Sequence, residues 1–216
     1  MTVEQLGPYR LEQREGVFPL GTDALCLARF VQPRRGDRVC DLGCGSGALL
    51  LLLAAQAEPL FLTGVELTPE GADLTRINLA QNGLSGTVIQ GDLRDLVNLP
   101  PAGQMDLVVS NPPYYAPSQG KTAEGLRGTA RSQQTCTLAE VCRAAARLLR
   151  NGGRFALCWP AGDLTSLLET LRTSGLEPKR IQLVQHRPDK PPFLALAEGR
   201  RQGKPGLQVL PVQILT

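Results

Sequence analysis

A glycine-rich segment is the first place in the chain where residue types and their spacing indicate chemistry. Residues 41–47 read D-L-G-C-G-S-G and lie between a short apolar run and a helical pattern. Glycines let the backbone approach a ligand closely, and the N-terminus of a helix offers N–H groups to an anion. The spacing also fits a dinucleotide-binding turn, so the glycines alone leave the ligand open.

The carboxylate of Asp41 distinguishes between the two kinds of ligand. At the end of a strand it would repel a pyrophosphate, but it suits the ammonium group of a cofactor that carries an amino acid. S-adenosylmethionine has that ammonium, a carboxylate for the helix terminus and no phosphate. Asp41 therefore favours S-adenosylmethionine and disfavours a nicotinamide-dependent oxidoreductase.

Two more acidic residues end the next two predicted strands. A carboxylate at Glu66 can accept both hydroxyls of a ribose, and Asp92 can accept from the amino group of an adenine. The carboxyl ends of successive parallel strands meet at one edge of a sheet, where such sheets bind ligands. Together with Asp41, these acids predict a nucleoside pocket at that edge.

Residues 111–114, with the sequence N-P-P-Y, follow directly on the fourth predicted strand. The two prolines fix the backbone and donate no N–H, which leaves carbonyl oxygens free as acceptors, and Asn111 adds a side-chain carbonyl. Two acceptors that converge on an exocyclic NH2 would bind both hydrogens and leave the nitrogen lone pair facing an electrophile. Tyr114 would stack on the flat ring that carries the amine. The predicted catalytic residues are Asn111, Pro112, Pro113 and Tyr114.

The elements that must position these residues alternate between strands and helices from about residue 37. Strands are predicted at 38–42, 61–67, 87–90, 105–110 and 155–159, with a closing antiparallel pair at 181–184 and 193–197. Helices are predicted at 46–57, 69–82, 138–149 and 164–171. This alternation predicts an α/β, Rossmann-like domain with a mostly parallel seven-stranded sheet, helices on both faces and a C-terminal antiparallel hairpin.

The predicted domain spans residues 37–216. Residues 1–36 are expected to form a lead-in with one helix at 22–30, capped by Thr22 or Asp23. Residues 112–136 lack apolar periodicity, and long loops in compact α/β domains are more often functional than idle.

Composition excludes several classes of protein. The chain has 216 residues, of which 42% are hydrophobic, and its longest apolar run has eight residues, whereas a membrane helix needs about twenty. No signal peptide is predicted. Six cysteines without a C-x-x-C pair, and a single histidine, argue against a zinc cluster and predict reduced thiols in a cytoplasmic protein without a metal. The lone histidine, His186, is interpreted as structural.

Charge is distributed unevenly along the chain. Residues 1–120 carry a net charge of −5, and residues 121–216 carry +8. A basic half can bind a polyanion such as nucleic acid, whereas charges scattered over a solvated surface would form no patch. Charge alone does not decide between these two interpretations.

We expect the protein to be a monomer or a weak homodimer, with no membrane partner.

The glycine-rich segment, the acidic end of the second strand and the G-D pair at 91–92 resemble class I S-adenosylmethionine-dependent methyltransferases. Residues 111–114 resemble the N-P-P-Y motif of amino-methyltransferases, which methylate planar exocyclic or amide nitrogens. The resemblance implies that no general base is needed, because the acceptors polarise the amine and the proton leaves to solvent after the methyl group has moved. Catalysis would then be mainly positioning and electrostatics.

Residues 18–27, with the sequence F-P-L-G-T-D-A-L-C-L, are similar to a segment of bacterial tRNA (adenine-N6)-methyltransferases that modify valine tRNA beside the anticodon. The likeness extends over most of the chain and includes residues 188–199 and 210–212. Departures occur at 130–133 and 160–164, where the family should meet its substrate. The resemblance implies methylation of adenine N6 in structured RNA, with tRNA as the partner.

These observations and the resemblance predict two sets of binding residues. The cofactor is expected at Thr22, Asp23, Asp41, Gly43, Gly45, Ser46, Gly47, Glu66, Leu67, Asp92, Leu93 and Asn111. The substrate is expected at Tyr114, Lys121, Arg127, Arg131, Arg187 and Lys190, with Arg200 and Arg201 also at phosphates.

Three other functions stay open. The first is glutamine-N5 methylation of a protein, although release-factor enzymes of that kind carry a helical domain ahead of the fold. The second is guanine-N2 methylation of RNA, although such enzymes commonly have phenylalanine in place of Tyr114. The third is a non-enzymatic scaffold that binds the cofactor. An RNA substrate predicts a basic rim around Asn111, a peptide predicts a narrower and less basic cleft, and a scaffold predicts a blocked pocket or an exposed apolar face.

Overall fold

A central twisted sheet carries the chain's polar motifs at one of its edges. The computed structural model describes residues 1–113 and 136–215. The strands are β1 (Thr2–Leu6), β2 (Tyr9–Gln13), β3 (Arg38–Leu42), β4 (Phe61–Glu66), β5 (Gly86–Gln90), β6 (Met105–Ser110), β7 (Leu149–Pro160), β8 (Leu176–Gln185), β9 (Leu194–Arg201), β10 (Gln208–Val209) and β11 (Gln213–Ile214). The helices are α1 (Thr22–Phe30), α2 (Ala48–Ala54), α3 (Pro69–Gln81), α4 (Leu138–Leu148) and α5 (Leu164–Thr173).

The order of the strands confirms the predicted fold. The main sheet runs β10-β8-β9-β7-β6-β3-β4-β5, and β11 also pairs with β8. Strands β3 to β7 are mutually parallel, whereas β9 runs antiparallel to both β7 and β8. All seven predicted strands are therefore present, with the antiparallel pair at the C-terminal side. The short strands β10 and β11 add to the sheet beyond the prediction, because two residues are too few to produce a pattern.

An N-terminal hairpin of β1 and β2 was not predicted. The turn at Gly7, which has a φ of 60°, joins the two strands, and the buried side chains of Tyr9 and Leu11 alternate with more exposed ones along β2. Asn78 of α3 holds this hairpin in place: its amide bonds both the N–H and the carbonyl of Glu12, each within 2.9 Å. The same amide donates to the carbonyl of Ser46 at 2.8 Å, so the hairpin, α3 and the glycine-rich turn form one unit.

The helices cover both faces of the sheet, as predicted. On one face, Leu27 of α1 and Leu50 of α2 are fully buried in a cluster with Val39 and Leu107 of the sheet. On the other face, α4 and α5 pack in a second cluster that includes Phe155. The sheet therefore lies between two apolar clusters, one on each face.

Helix ends differ from the prediction for local reasons. Helix α2 begins at Ala48 rather than at residue 46, because Gly47 has a φ of 79°, a left-handed conformation that cannot belong to the helix. The N-cap of α1 is Gly21, and it makes no side-chain cap, so the predicted cap at Thr22 or Asp23 is wrong. Helix α4 begins with a capping box, which Thr137 at the N-cap forms with Glu140.

Among the helices of residues 1–113 and 136–215, none is both long and apolar enough to cross a bilayer. In the same residues, no three histidine, cysteine, aspartate or glutamate side chains lie close enough together to hold a metal ion. All six cysteines are free, and five of them are buried.

Candidate active site

A cavity of about 450 Å³ lies at the carboxyl ends of β3, β4 and β6. Each of these strands, together with β5, delivers predicted residues to it: Gly43 and Gly45 follow β3, Glu66 ends β4 and Leu67 follows it, Asp92 and Leu93 follow β5, and Asn111, Pro112 and Pro113 follow β6. Asp23 reaches it from the first turn of α1. The structure thus brings together most of the predicted cofactor residues and three of the predicted catalytic residues.

The glycine-rich turn is closed by its own hydrogen bonds. The N–H groups of Gly43 and Cys44 both donate to the carbonyl of Val65, at 2.8 and 3.1 Å, and Gly43 has a φ of 81°. The N–H of Gly45 donates to a carboxylate oxygen of Glu66 at 2.9 Å. These three N–H groups of the turn are therefore occupied within the protein rather than free for an anion. The turn contributes the exposed Gly43 and the half-buried Gly45 to the cavity wall, where the absence of side chains lets a ligand approach the backbone closely.

Both carboxylate oxygens of Glu66 are held in place at the cavity wall. One accepts from Gly45, and the other accepts from the N–H of Thr68 at 2.9 Å and from its hydroxyl at 2.7 Å. A carboxylate has about four acceptor positions, so three protein donors leave room for a ligand donor. This arrangement can accept a hydroxyl without rotating the side chain.

Asp41 lies beneath the cavity rather than at its surface. Its exposed fraction is 2%, and it is not one of the residues that line the cavity. Burial, followed by the charge of Glu66, raises the pKa of Asp41 from 3.8 to about 8. The carboxyl group is therefore largely protonated at neutral pH until a cation approaches, and an approaching cation would favour its ionised form.

Asp92 is held at the cavity by Arg94. The N–H of Arg94 donates to Asp92 at 2.8 Å, and its guanidinium contacts both carboxylate oxygens. Hydrogen bonding from the Arg94 side chain lowers the pKa of Asp92, against a smaller effect of burial. Asp92 is therefore an ionised acceptor with a fixed orientation.

The end of β6 is anchored to its neighbours on both sides. The hydroxyl of Ser110 donates to the carbonyl of Leu42 at 2.7 Å, which ties β6 to β3. On the other side, the thiol of Cys158 in β7 donates to Oδ1 of Asn111 at 2.7 Å. The Asn111 amide is thus positioned at the rim by two neighbouring strands, and Pro112 and Pro113 continue from it along the cavity.

Four predicted cofactor residues lie outside the cavity lining. Asp41 is buried beneath it, and Thr22 is exposed at the start of α1. Ser46 is buried, and its carbonyl faces Asn78. Gly47 packs against α3, where a Cβ atom would lie 3.0 Å from the Thr75 side chain.

The predicted substrate residues have different positions. Arg187 and Lys190 lie on the exposed loop between β8 and β9, where Arg187 pairs with Asp189 at 2.9 Å. Because β9 starts opposite Pro160 at the end of β7, this loop is at the same edge of the sheet as Asn111. On this loop His186 stacks on Phe193, with ring centroids 4.1 Å apart, in agreement with a structural role.

Two arginines are misplaced by the sequence interpretation. Arg201 is opposite Leu176, the first residue of β8, and Arg200 is opposite Arg154 in the ladder between β9 and β7, so both arginines lie toward the edge of the sheet opposite to Asn111. They therefore cannot belong to a rim around Asn111. Tyr114, Lys121, Arg127 and Arg131 lie outside the described residues.

The prediction missed one wall of the cavity. Residues 16–19, between β2 and α1, line it together with Cys136 and Arg94. Phe18 keeps an exposed fraction of 54%. An exposed aromatic residue next to the G-T-D segment was the available signal, since large apolar side chains on a surface often mark a binding site.

Comparison with known proteins identifies relatives by sequence. The family model described as the methyltransferase small domain matches residues 9–163. The tRNA1(Val) (adenine(37)-N6)-methyltransferase of Yersinia enterocolitica is 33% identical over 196 residues, which cover 88% of this chain and 77% of that protein. The protein with the same name from Parabacteroides distasonis is 31% identical, over 83% of this chain and 75% of its own length.

Solved structures show the same fold. A predicted O-methyltransferase from Agrobacterium tumefaciens superimposes with a TM-score of 0.70 at 22% identity, over 89% of this chain and 87% of the other. TYW2 of M. jannaschii, in complex with AdoMet, superimposes with a TM-score of 0.64 at 12% identity, over 92% of this chain and 84% of the other.

Proposed function

Because the chain belongs to the methyltransferase small domain family, we propose that it transfers a methyl group from S-adenosylmethionine to N6 of an adenine in tRNA. The observation that carries this proposal is that one cavity joins the acids Glu66 and Asp92 to Asn111 and Pro112. The acids are suited to a nucleoside, and the other two residues supply carbonyl acceptors suited to an amine. The names of the sequence relatives point to adenine 37 of a valine tRNA as the acceptor.

The residues present fit S-adenosylmethionine. A cavity of about 450 Å³ is within the size range of small-molecule sites. Glu66 offers the remaining acceptor position of its fixed carboxylate to one ribose hydroxyl rather than to both, and Asp92 offers its carboxylate to the adenine amino group. The ammonium group of the cofactor would suit the buried carboxyl group of Asp41, because a cation near it would stabilise its ionised form.

When bound, this cofactor supplies an electrophilic methyl group on a sulfonium. Asn111 Oδ1 and the carbonyl of Pro112 each accept one hydrogen of the target amine, which fixes the nitrogen and directs its lone pair toward the methyl carbon. The methyl group that the cofactor would supply would pass to this nitrogen, its bond to sulfur breaking as its bond to nitrogen forms, and the extra proton on nitrogen would then leave to water. Holding the amine in this geometry lowers the entropic part of the barrier.

The charge distribution supports an RNA substrate. Residues 121–216 carry a net charge of +8, and two of their basic residues, Arg187 and Lys190, lie exposed at the same edge as Asn111. Basic groups at that edge can bind phosphates and set the position of the RNA without reading its sequence. The free cysteines fit a protein that works in the reducing cytoplasm.

Methyl transfer to defined RNAs tests the proposal. The purified protein would be incubated with methyl-labelled S-adenosylmethionine and a valine tRNA transcript, and the nucleosides would be separated by mass spectrometry. We expect labelled N6-methyladenosine from this transcript and none from a transcript in which adenine 37 is replaced by guanine. A protein that binds the cofactor in calorimetry but forms no N6-methyladenosine on any tRNA would contradict the proposal.

A further inference from the structure

The thiol of Cys158, on β7, is hydrogen-bonded to the side-chain amide of Asn111. Its Sγ lies 2.7 Å from Oδ1 of Asn111, and its side chain is fully buried. The register explains this contact, because Ser110 pairs with Leu157, so that the residues that follow each of them lie side by side. The thiol is not one of the residues that line the cavity, and it therefore reaches the reaction only through Asn111.

The thiol of Cys158 is a hydrogen-bond donor in this setting. Burial, together with the nearby carboxylate of Asp23, raises its pKa well above the ordinary value of 9.0. The sulfur therefore keeps its proton throughout the physiological pH range. A neutral S–H group next to an amide oxygen donates a hydrogen bond to it.

This donor matters because an asparagine amide has two orientations. The torsion that rotates the amide is broad and roughly two-fold, so oxygen and nitrogen exchange places at small cost unless a partner distinguishes them. With the oxygen toward the amine, Asn111 is an acceptor. With the nitrogen there, it presents two N–H donors to the hydrogens of the amine, and binding is repulsive. An S–H group favours the oxygen on its own side of the amide, and the second lone pair of that oxygen stays available.

We propose that Cys158 is a positioning residue for methyl transfer: its thiol holds the Asn111 amide in the orientation that accepts the target amine. The inference rests on the proposed function, because it assigns a role within the same site. The role of Cys158 concerns the rate of methyl transfer and not the affinity for the cofactor, since the acids expected to bind the cofactor, Glu66 and Asp92, lie at the ends of β4 and β5.

Replacements at Cys158 separate the hydrogen bond from packing. Cys158→Val and Cys158→Ala remove the donor and change the volume in opposite directions, whereas Cys158→Ser keeps a donor. Cys142→Val is the matched control, because Cys142 is equally buried but lies on α4 in the other core cluster. Single-turnover rates on the tRNA transcript, KM for tRNA and the cofactor Kd would be measured for each folded variant.

We expect both donor-free variants to lower the single-turnover rate by about three- to tenfold, the range that a single neutral hydrogen bond supplies. KM for tRNA and the cofactor Kd should stay within about twofold of wild type, Cys158→Ser should restore the rate, and Cys142→Val should leave it unchanged.

Three results would overturn the inference. The first is a wild-type rate in either donor-free variant. The second is a faster rate in either of them, which would mean that the thiol competes with the amine for Asn111. The third is a Cys158→Ser variant as slow as Cys158→Ala. If Cys158→Val does not fold, the comparison of Cys158→Ala with Cys158→Ser carries the test. A wild-type protein that forms no N6-methyladenosine would instead contradict the proposed function, so the two failures are distinguishable.

Discussion

The carboxylate of Glu66 accepts the backbone N–H of Gly45 at 2.9 Å, which joins the acid at the end of β4 to the glycine-rich turn after β3. Thr68 fixes the second oxygen of the same carboxylate. The ribose acceptor and the turn are therefore one preformed structure, and ligand binding need not order the side chain first. Preorganisation of this kind improves affinity by reducing the entropy lost on binding.

Glu66→Gln should weaken cofactor binding by roughly 10- to 100-fold, as expected for the loss of hydrogen bonds to a charged acceptor. A glutamine has one acceptor oxygen, so in either orientation its NH2 group must face the N–H of Gly45 or that of Thr68. Calorimetry with S-adenosylmethionine would measure the change. The matched control is Glu70→Gln, which removes the same charge from an exposed position on α3. Equal affinities for Glu66→Gln and wild type would rule out this role for Glu66.

Asp41→Asn should change the pH dependence of stability. The native carboxyl group keeps its proton up to about pH 8, whereas its ordinary pKa is 3.8, so the unfolded chain binds fewer protons in this window. The free energy of unfolding of the wild type therefore falls as pH rises from about 4 to about 8. The free energy of unfolding of the variant minus that of wild type should therefore increase by about 2–4 kcal/mol between about pH 5 and about pH 8.5.

Urea denaturation without cofactor would measure this difference, with Asp106→Asn as the control. Burial alone would raise the pKa of Asp106, but hydrogen bonds from Arg38 and Arg150 outweigh it and lower the pKa. The stability that Asp106 contributes is lost only as pH falls through this lowered value, so its variant should differ from wild type equally at both pH values. If Asp41→Asn also differed from wild type equally at both pH values, Asp41 of the native protein would be ionised over this whole pH range.

Asn78→Ala should lower the free energy of unfolding by about 2–4 kcal/mol, because it leaves the N–H of Glu12 and the carbonyl of Ser46 without their partner. Asn82→Ala, at the C-cap of α3, removes comparable bonds to the backbone of Arg10, but these bonds are exposed and water replaces them. That variant should cost less than about 1 kcal/mol. Chemical denaturation of both would show whether the hairpin depends on Asn78, and equal losses would contradict its role.

Arg187→Ala and Lys190→Ala should each weaken tRNA binding and reduce the slope of log K against log salt by about one. Lys204→Ala should do neither, because Lys204 follows β9 at the opposite edge of the sheet. Filter binding at several salt concentrations would measure the slopes. If all three variants keep the wild-type slope, the loop between β8 and β9 does not contact phosphates.

The fold was largely predictable because several strands of its sheet, such as β3, β6 and β9, are almost entirely buried apolar runs. Strand β6 was placed at its observed bounds because it is an almost continuous apolar run, and α1 was also placed at its observed bounds. The hairpin of β1 and β2 was missed because β1 is almost entirely exposed and its polar side chains hide the pattern. Helix α2 was predicted too long, because periodicity does not reveal the left-handed Gly47 at its start.

The site was predictable where its chemistry follows strand ends. Glu66, Asp92 and Asn111 lie at the carboxyl ends of parallel strands, which meet at one edge of the sheet. Predicting the strands was therefore enough to place these three residues in one site. The wall formed by residues 16–19 was missed, because it comes from a loop that is distant in sequence from the strands, and the aromatic Phe18 beside the G-T-D segment was its one signal. The contact between Cys158 and Asn111 depends on the register of two strands, which hydrophobic patterns do not fix to the single residue.

The most direct test of the account is the Asn111→Ala variant, assayed together for methylation of the valine tRNA transcript and for cofactor affinity. Removing the side-chain acceptor should lower the rate of N6-methyladenosine formation by about 100-fold or more, the size typical of a group that acts on the reacting atoms. The cofactor Kd should change less than about threefold. Asn151→Ala, at an exposed asparagine, should match wild type in both assays. An Asn111→Ala variant that methylates tRNA at the wild-type rate, or that loses cofactor binding instead of turnover, would contradict the assignment of Asn111 as the acceptor of the target amine.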